Sequence, residues 1–146
     1  MKVLGRAERV DFPELGLTSQ HAKIDTGAFT SSIDCEKAEV VQQNGERMLE
    51  FVLLRPGREG YTGEKHYIKD FDYTEIKNAN GAQMRYIIFV DMIIHGERIK
   101  GRFSLANREI LRYPVLIGRR LIRDANFIVD VRQGEGLPDD EEERGL

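Results

Sequence analysis

Apolar and polar residues alternate along this chain in short runs, cut by glycine, proline and asparagine, rather than recurring at the three-to-four spacing of a helix. Residues 2–10 read as a first strand that stops at Asp11-Phe12-Pro13, because proline fixes its own φ and removes a ladder donor. Residues 20–25 read as a second strand, and residues 31–41 as a third, interrupted by charge around Cys35. Asn44-Gly45 then marks a tight hairpin turn, and Leu49, Phe51 and Leu53 share one parity, as a half-buried strand requires. Residues 55–63 hold Pro56, Gly57, Gly60 and Gly63 and read as a loop.

Residues 65–78 supply one or two further strands, and Asn80-Gly81 is a second hairpin signal. The run from Tyr86 to Ile94 has little polar alternation, which predicts a strand covered on both faces. After a turn at His95-Gly96, Ile99, Gly101, Phe103 and Leu105 alternate with Arg98, Lys100, Arg102 and Ser104. One brief helix over residues 118–124 and a last strand over 127–131 complete the pattern. Short strands joined by X-Gly turns, with a single late helix, predict an all-β barrel or sandwich.

Composition adds limits. At 146 residues the chain supports one core, and a hydrophobic content of 40% is ordinary for a globular domain. The formal charge of −3 is unevenly spread: Glu135, Asp139, Asp140, Glu141, Glu142 and Glu143 crowd the end of the chain, opposed there by Arg144 alone. This divides the chain into a nearly neutral domain, residues 1–132, and an acidic tail, residues 133–146, expected to be disordered. A neutral body offers no electrostatic footprint for nucleic acid. Cys35 is the single cysteine, so no internal disulfide can form. With no apolar leader and no long apolar span, the expected setting is the cytoplasm, away from the membrane.

Two stretches carry candidate chemistry. In Ala22-Lys23-Ile24-Asp25-Thr26-Gly27-Ala28 an apolar strand ends on an aspartate, followed by a hydroxyl residue and a glycine that frees the backbone to turn. A carboxylate at a strand end on such a turn is displayed. Pro114-Val115-Leu116-Ile117-Gly118-Arg119-Arg120-Leu121-Ile122 repeats the grammar without the acid: strand, glycine, short helix.

With these two stretches in this order, the chain resembles the retropepsin-like aspartic peptidases, which carry Asp-Thr-Gly-Ala on the catalytic loop and an apolar-apolar-Gly-Arg run entering their one helix. It is similar to a bacterial branch often labelled "ATP-dependent zinc protease" and associated with ATP-grasp ligases that add glutamate to proteins. Pro13-Glu14-Leu15-Gly16, residues 22–32, Asn80-Gly81 with Arg85-Tyr86, Asn107-Arg108, residues 113–120 and Val129-Asp130 carry that likeness. The resemblance implies a closed β-barrel and an aspartic endopeptidase. Asp25 would be catalytic, with Thr26, Gly27, Ala28, Gly118 and Arg119 supporting its loop.

Such a peptidase needs two carboxylates sharing a proton, one activating water and one donating toward the carbonyl. One Asp-Thr-Gly per chain then demands a homodimer with Asp25 from each copy meeting at a twofold axis. The family also folds a hairpin flap over its substrate; Asn80 and Gly81 are the candidate tip. Many viral relatives pair the helix arginine with an aspartate soon after the motif, but Phe29-Thr30-Ser31 stands there, which leaves the acceptor of Arg119 open. Lys23, two residues before Asp25, falls on the same strand face or at an exposed rim. The ligase association points to glutamate-rich tails as substrate and to a ligase as partner. Lys77, Arg85, Arg98, Lys100 and Arg102 could line a basic cleft or face solvent.

Rival chemistries are weaker. His21, His66 and His95 are scattered, no His-Glu-x-x-His occurs and one cysteine makes no thiolate cluster, so no metal site is expected; a glycine-rich loop for ATP is also missing, and no cofactor is expected. Ser31, Ser32 and Cys35 lie near the motif without a Gly-x-Ser-x-Gly context or a placed histidine. The alternative from another class is a non-catalytic dimeric binding or regulatory module of the same fold, acting with an ATP-grasp ligase.

Overall fold

The computed structural model describes residues 2–78, 81–108 and 111–134. The acidic tail beyond Gly134 and the candidate flap residue Asn80 lie outside the described residues. Eleven strands and one α-helix follow in order: β1 (Lys2–Leu4), β2 (Ala7–Phe12), β3 (Leu17–Asp25), β4 (Ser31–Gln43), β5 (Glu46–Leu53), β6 (His66–Ile68), β7 (Phe71–Asn78), β8 (Gly81–Ile94), β9 (Glu97–Ala106), β10 (Val115–Gly118), α1 (Arg119–Asp124) and β11 (Phe127–Val129). The fold is mostly β with one short α-helix.

Hydrogen-bonded neighbours run β10-β3-β2-β8-β9-β4, and β10 also pairs with β4, so these six strands form a ring. From β4 the sheet extends through β5 to β6; β7 hangs on β8, and β1 and β11 make a separate parallel pair. Inside the ring, alternate residues from facing strands meet. Phe12 and Phe103 pack edge to face with centroids 5.2 Å apart, beside buried Val10, Ile33, Ile88, Met92, Val115 and Ile117. Removal of this apolar surface from water is what makes the alternating pattern fold as it does. Among the described residues, no helix is long and apolar enough to cross a membrane.

Several sequence expectations shift. The expected first strand is two, because the chain turns at Gly5, where a β-carbon would come within 2.8 Å of the Gln133 backbone. The run through β8 is not covered on both faces: Ile88, Val90, Met92 and Ile94 are buried, whereas Phe89 and Ile93 are partly exposed. Its apolar outer residues mask a normal period-two strand. The turn at Asn44-Gly45 is as expected, with both residues at positive φ (52° and 78°) between paired Gln43 and Glu46. The second hairpin differs by one position. Asn78 pairs with Gly81, so Gly81 opens β8 and is not a central turn residue; its φ of +123° explains why glycine stands there.

The most consequential feature is how β10 is threaded. Strands β3 and β4 follow each other in sequence yet do not pair. Between them lies β10, parallel to β3 and antiparallel to β4. Val115 faces both Ala22 and Ile33, and Gly118 stands opposite Asp25. The 26–30 loop therefore bridges the end of β10, directly where α1 begins.

Candidate functional site

Asp25 ends β3, and the chain turns at once: the Gly27 N–H donates to Asp25 Oδ1 at 2.9 Å, and the Ala28 N–H to the Asp25 carbonyl at 3.2 Å. One carboxylate oxygen is thus fixed by the backbone of its own loop, an Asx-type turn that aspartate and glycine favour. From the other side, the first turn of α1 seizes the loop. The Arg119 N–H donates to the Ala28 carbonyl at 2.7 Å and the Arg120 N–H to the Phe29 carbonyl at 3.3 Å, which satisfies helix-start donors that otherwise go unpaired.

Gly118 makes this approach possible. A β-carbon there would fall 2.7 Å from the Phe29 carbonyl oxygen and 2.9 Å from that of Ala28, both fixed backbone atoms. The Gly118 N–H donates to the hydroxyl of buried Ser31 at 2.9 Å, closing the loop at its far end. Arg119 has its acceptor in the loop itself. Its Nη1 donates to the carbonyls of Thr26 (3.4 Å) and Gly27 (3.2 Å), and its guanidinium lies over the Phe29 ring with Arg120 nearby. Backbone carbonyls here do the work that an aspartate would do in the viral pattern.

Asp25, Gly27, Ala28 and Arg119 all border one cleft of about 740 Å³. Its opposite wall is the β7–β8 hairpin, through Thr74, Ile76, Lys77 and Arg85. Six cations line it (Lys77, Arg85, Arg102, Arg108, Arg119, Arg120) against two acids, Asp25 and Glu75. Of the five basic residues read from the sequence, Lys77, Arg85 and Arg102 reach the cleft. Arg98 does not, being paired with Asp91 at 2.8 Å, and Lys100 lines other cavities. Lys23 is not among the residues that line the cleft.

Arg108 escaped functional notice in the sequence, although Asn107-Arg108 belonged to the resemblance. It is 7% exposed, and its Nε donates to the Tyr113 carbonyl at 2.9 Å while Nη1 reaches the Ser32 hydroxyl at 3.4 Å. Burial pushes its guanidinium below the ordinary value, and Arg58 and Arg85 push the same way against Asp34 and Asp25.

Behind it lies a second polar cluster that the sequence did not announce. Asp34, fully buried on β4, accepts from Arg55 Nη2 at 2.7 Å, Arg58 Nε at 2.8 Å and the Arg108 N–H at 2.8 Å. Arg58 also donates to the carbonyls of Arg108 (2.6 Å), Leu111 (2.7 Å) and Arg112 (3.3 Å). Burial alone would raise the Asp34 carboxyl; the Arg55 hydrogen bond, the Arg108 amide and the two guanidinium charges outweigh it and hold the group below its usual range. In sequence Asp34 stands among Ser31, Ser32, Glu36 and Lys37, so residue type gave no sign of its burial. Its partners, 21 to 74 residues away, were not predictable from spacing.

Cys35 and the three histidines do not line the cleft. Cys35 is buried, and its thiol is pushed up to about 12 by burial and then by Asp34, so it is not a thiolate near neutral pH. His66 stacks on Phe51, His95 Nε2 sits 2.9 Å from Glu8, and His21 packs near Tyr113. Among the described residues, no three of His, Cys, Asp or Glu converge to hold a metal ion.

Comparison with known proteins completes the picture. Over 132 residues the chain is 30% identical to a probable alpha-L-glutamate ligase of Desulfotalea psychrophila, covering 88% of this chain and 28% of that protein. Probable alpha-L-glutamate ligases of Shewanella pealeana and Parasynechococcus marenigrum are 28% and 25% identical, over 86% and 80% of this chain and 28% and 25% of theirs. This chain thus spans about a quarter of the length of those relatives. A crystal structure of a Legionella pneumophila protein of unknown function shares the fold at TM-score 0.71 and 22% identity, covering 91% of this chain and 95% of that one. Residues 3–136 match the family described as "RimB-like: Retropepsin-like aspartic endopeptidase RimB", and with nearly the whole described fold inside that match, the chain belongs to the RimB-like, retropepsin-like family.

Proposed function

We propose that this protein is an aspartic endopeptidase that works as a homodimer and cuts glutamate-rich segments. The observation that carries the reading is the juxtaposition in one cleft of Asp25, on a loop locked from both sides, with six cations. In this reading the six-strand ring is a closed barrel, each copy contributes one Asp25, and the two carboxylates share a proton. Like charges so close cannot both ionise, so the ionised member takes a proton from water while the protonated member donates toward the scissile carbonyl. The proton belongs to the pair.

Thr26, Gly27, Ala28, Gly118 and Arg119 hold the loop, and the β7–β8 hairpin is the flap, with Gly81 beside its tip. The cations of the cleft suit an anionic chain, and electrostatic focusing would raise its local concentration. The names of the ligase relatives support the same substrate class: an ATP-dependent ligase that adds glutamate would supply what this enzyme removes.

The test is digestion of a glutamate-extended peptide by the wild-type chain and by Asp25→Asn, followed by mass spectrometry. Cleavage by wild type and none by the variant is the expected result. If both leave the peptide whole but bind it equally, the chain acts as a binding module beside a ligase.

A further inference from the structure

Of the six cations in the cleft, several already have work. Arg119 holds the Thr26 and Gly27 carbonyls, and Arg120 lies with it over the Phe29 ring. Lys77 Nζ is 3.9 Å from Glu75. Arg102 borders both this cleft and a smaller cavity of about 310 Å³ beside α1.

Arg85 and Arg108 differ. Arg85 reaches in from the hairpin on β8, with Nε and Nη2 resting on the amide oxygen of Gln83 at 3.0 and 2.8 Å. Arg108 reaches in from the opposite wall, behind β9, held by the neutral oxygens of Tyr113 and Ser32. Both line the one cleft, and neither guanidinium is salt-bridged to a carboxylate in the described residues. Two guanidiniums bordering one cleft from opposite walls, on neutral acceptors that use few of their five donors, form a preorganised anion receptor.

We propose that Arg85 and Arg108 form a two-walled clamp for one side-chain carboxylate of the substrate, placed beside Asp25, and that this clamp sets the preference for glutamate over glutamine. The assignment rests on the peptidase reading only for its substrate, because it concerns binding. Asp34, Arg55 and Arg58 act on it through Arg108: Asp34 fixes the Arg108 amide and Arg58 the Arg108 carbonyl, so the guanidinium is aimed by a buried network. An anion in the clamp ties hairpin to floor. Glutamine can replace the hydrogen bonds but not the charge.

The experiment uses the full chain carrying Asp25→Asn, so that binding is read without turnover, with fluorescein-labelled hexaglutamate and hexaglutamine at physiological ionic strength. Arg85→Gln and Arg108→Gln should each weaken hexaglutamate binding by about tenfold or more, the scale of a charge-assisted hydrogen bond, and leave hexaglutamine unchanged. The double variant should lose less than the product of the two, because both arginines hold one carboxylate. Arg108→Lys, which keeps the charge within the buried network, should retain most of the hexaglutamate affinity that Arg108→Gln loses, and Arg85→Gln on the hairpin should keep the parent's thermal midpoint while losing that affinity, so the loss is not a folding defect.

Equal loss for both peptides, no loss for hexaglutamate, or strictly multiplicative losses would overturn the clamp. Should wild type fail to cleave while this binding pattern holds, the clamp stands and the peptidase reading falls. Cleavage indifferent to glutamate or glutamine would do the reverse.

Discussion

The two walls of the cleft are built in opposite ways. The floor, where Asp25 sits, is tied by contacts across long stretches of sequence: Gly118 to Ser31, the start of α1 to Ala28 and Phe29, and Arg119 to Thr26 and Gly27. The outer part of the hairpin wall is held by its own ladder, while at its base β8 pairs with β9 from Ile87 on and Phe71 packs on the core beneath Arg47. Strand β7 pairs with β8 alone among the described strands, and Phe71, Tyr73 and Tyr86 pack on one another, with Tyr73 more than half exposed. A floor fixed by crossing ties can hold a carboxylate in one geometry. A wall whose outer part is fixed by its own ladder can move there without disturbing that geometry, which is what a substrate-covering element needs.

The contrast is sharpest where chemistry and architecture separate. Asp25→Asn keeps an acceptor for the Gly27 N–H, so stability should stay within about 0.5 kcal/mol, the range of ordinary surface changes. Peptide cleavage should fall by about 10³-fold or more, since positioned acid–base catalysis is worth roughly 10²–10⁴. Thermal denaturation beside a mass-spectrometric cleavage assay reads both.

Asp34→Ala should be the most destabilising floor change, by about 3–5 kcal/mol, because it strands buried guanidinium charge. The same carboxylate gives a pH dependence. Its folded-state pKa lies below the ordinary 3.8, so its contribution is fully present above that value and is lost as pH falls through the lower folded pKa. Urea melts between pH 6 and pH 2.5 should show the loss in wild type and a flatter profile in Asp34→Asn.

Gly118→Ala should cost about 1–3 kcal/mol, the usual scale of overpacking, since its new methyl must displace the Ala28 and Phe29 carbonyls. Amide exchange should report loosening at Ala28 and Phe29 and none in the hairpin. On the hairpin, Tyr73→Ala should remove about 0.5–1.5 kcal/mol of ring packing against Tyr86, whose centroid is 4.6 Å away, and leave protection of the Gly118 N–H unchanged. Loosening on both walls from either change would erase the distinction between them.

Most strands, the Asn44-Gly45 turn, the 55–63 loop and the short helix were legible because period-two alternation and turn chemistry are local signals. That Asp25, Gly27, Gly118 and Arg119 meet at one loop was legible, because two short motifs carried a resemblance. The acceptor of Arg119 was not, because main-chain carbonyls leave no trace in residue identity. Nor could the threading of β10 between β3 and β4, or the meeting of Asp34 with Arg55, Arg58 and Arg108, be read locally: each joins segments remote in sequence, and only tertiary structure sets the register. In β8, apolar residues on both faces hid an outer face that is partly exposed. At the hairpin, the Asn80-Gly81 turn signal was placed one residue late, because Gly81 pairs with Asn78 and serves a positive-φ strand position.

The separation between the two Asp25 carboxylates in a crystal structure of the assembled protein tests the dyad most directly. Hydrogen-bond contact, about 2.5–3.2 Å between the nearest oxygens, is the expected result. An assembly that holds the two acids apart, or a monomer that still cleaves peptides, would contradict it.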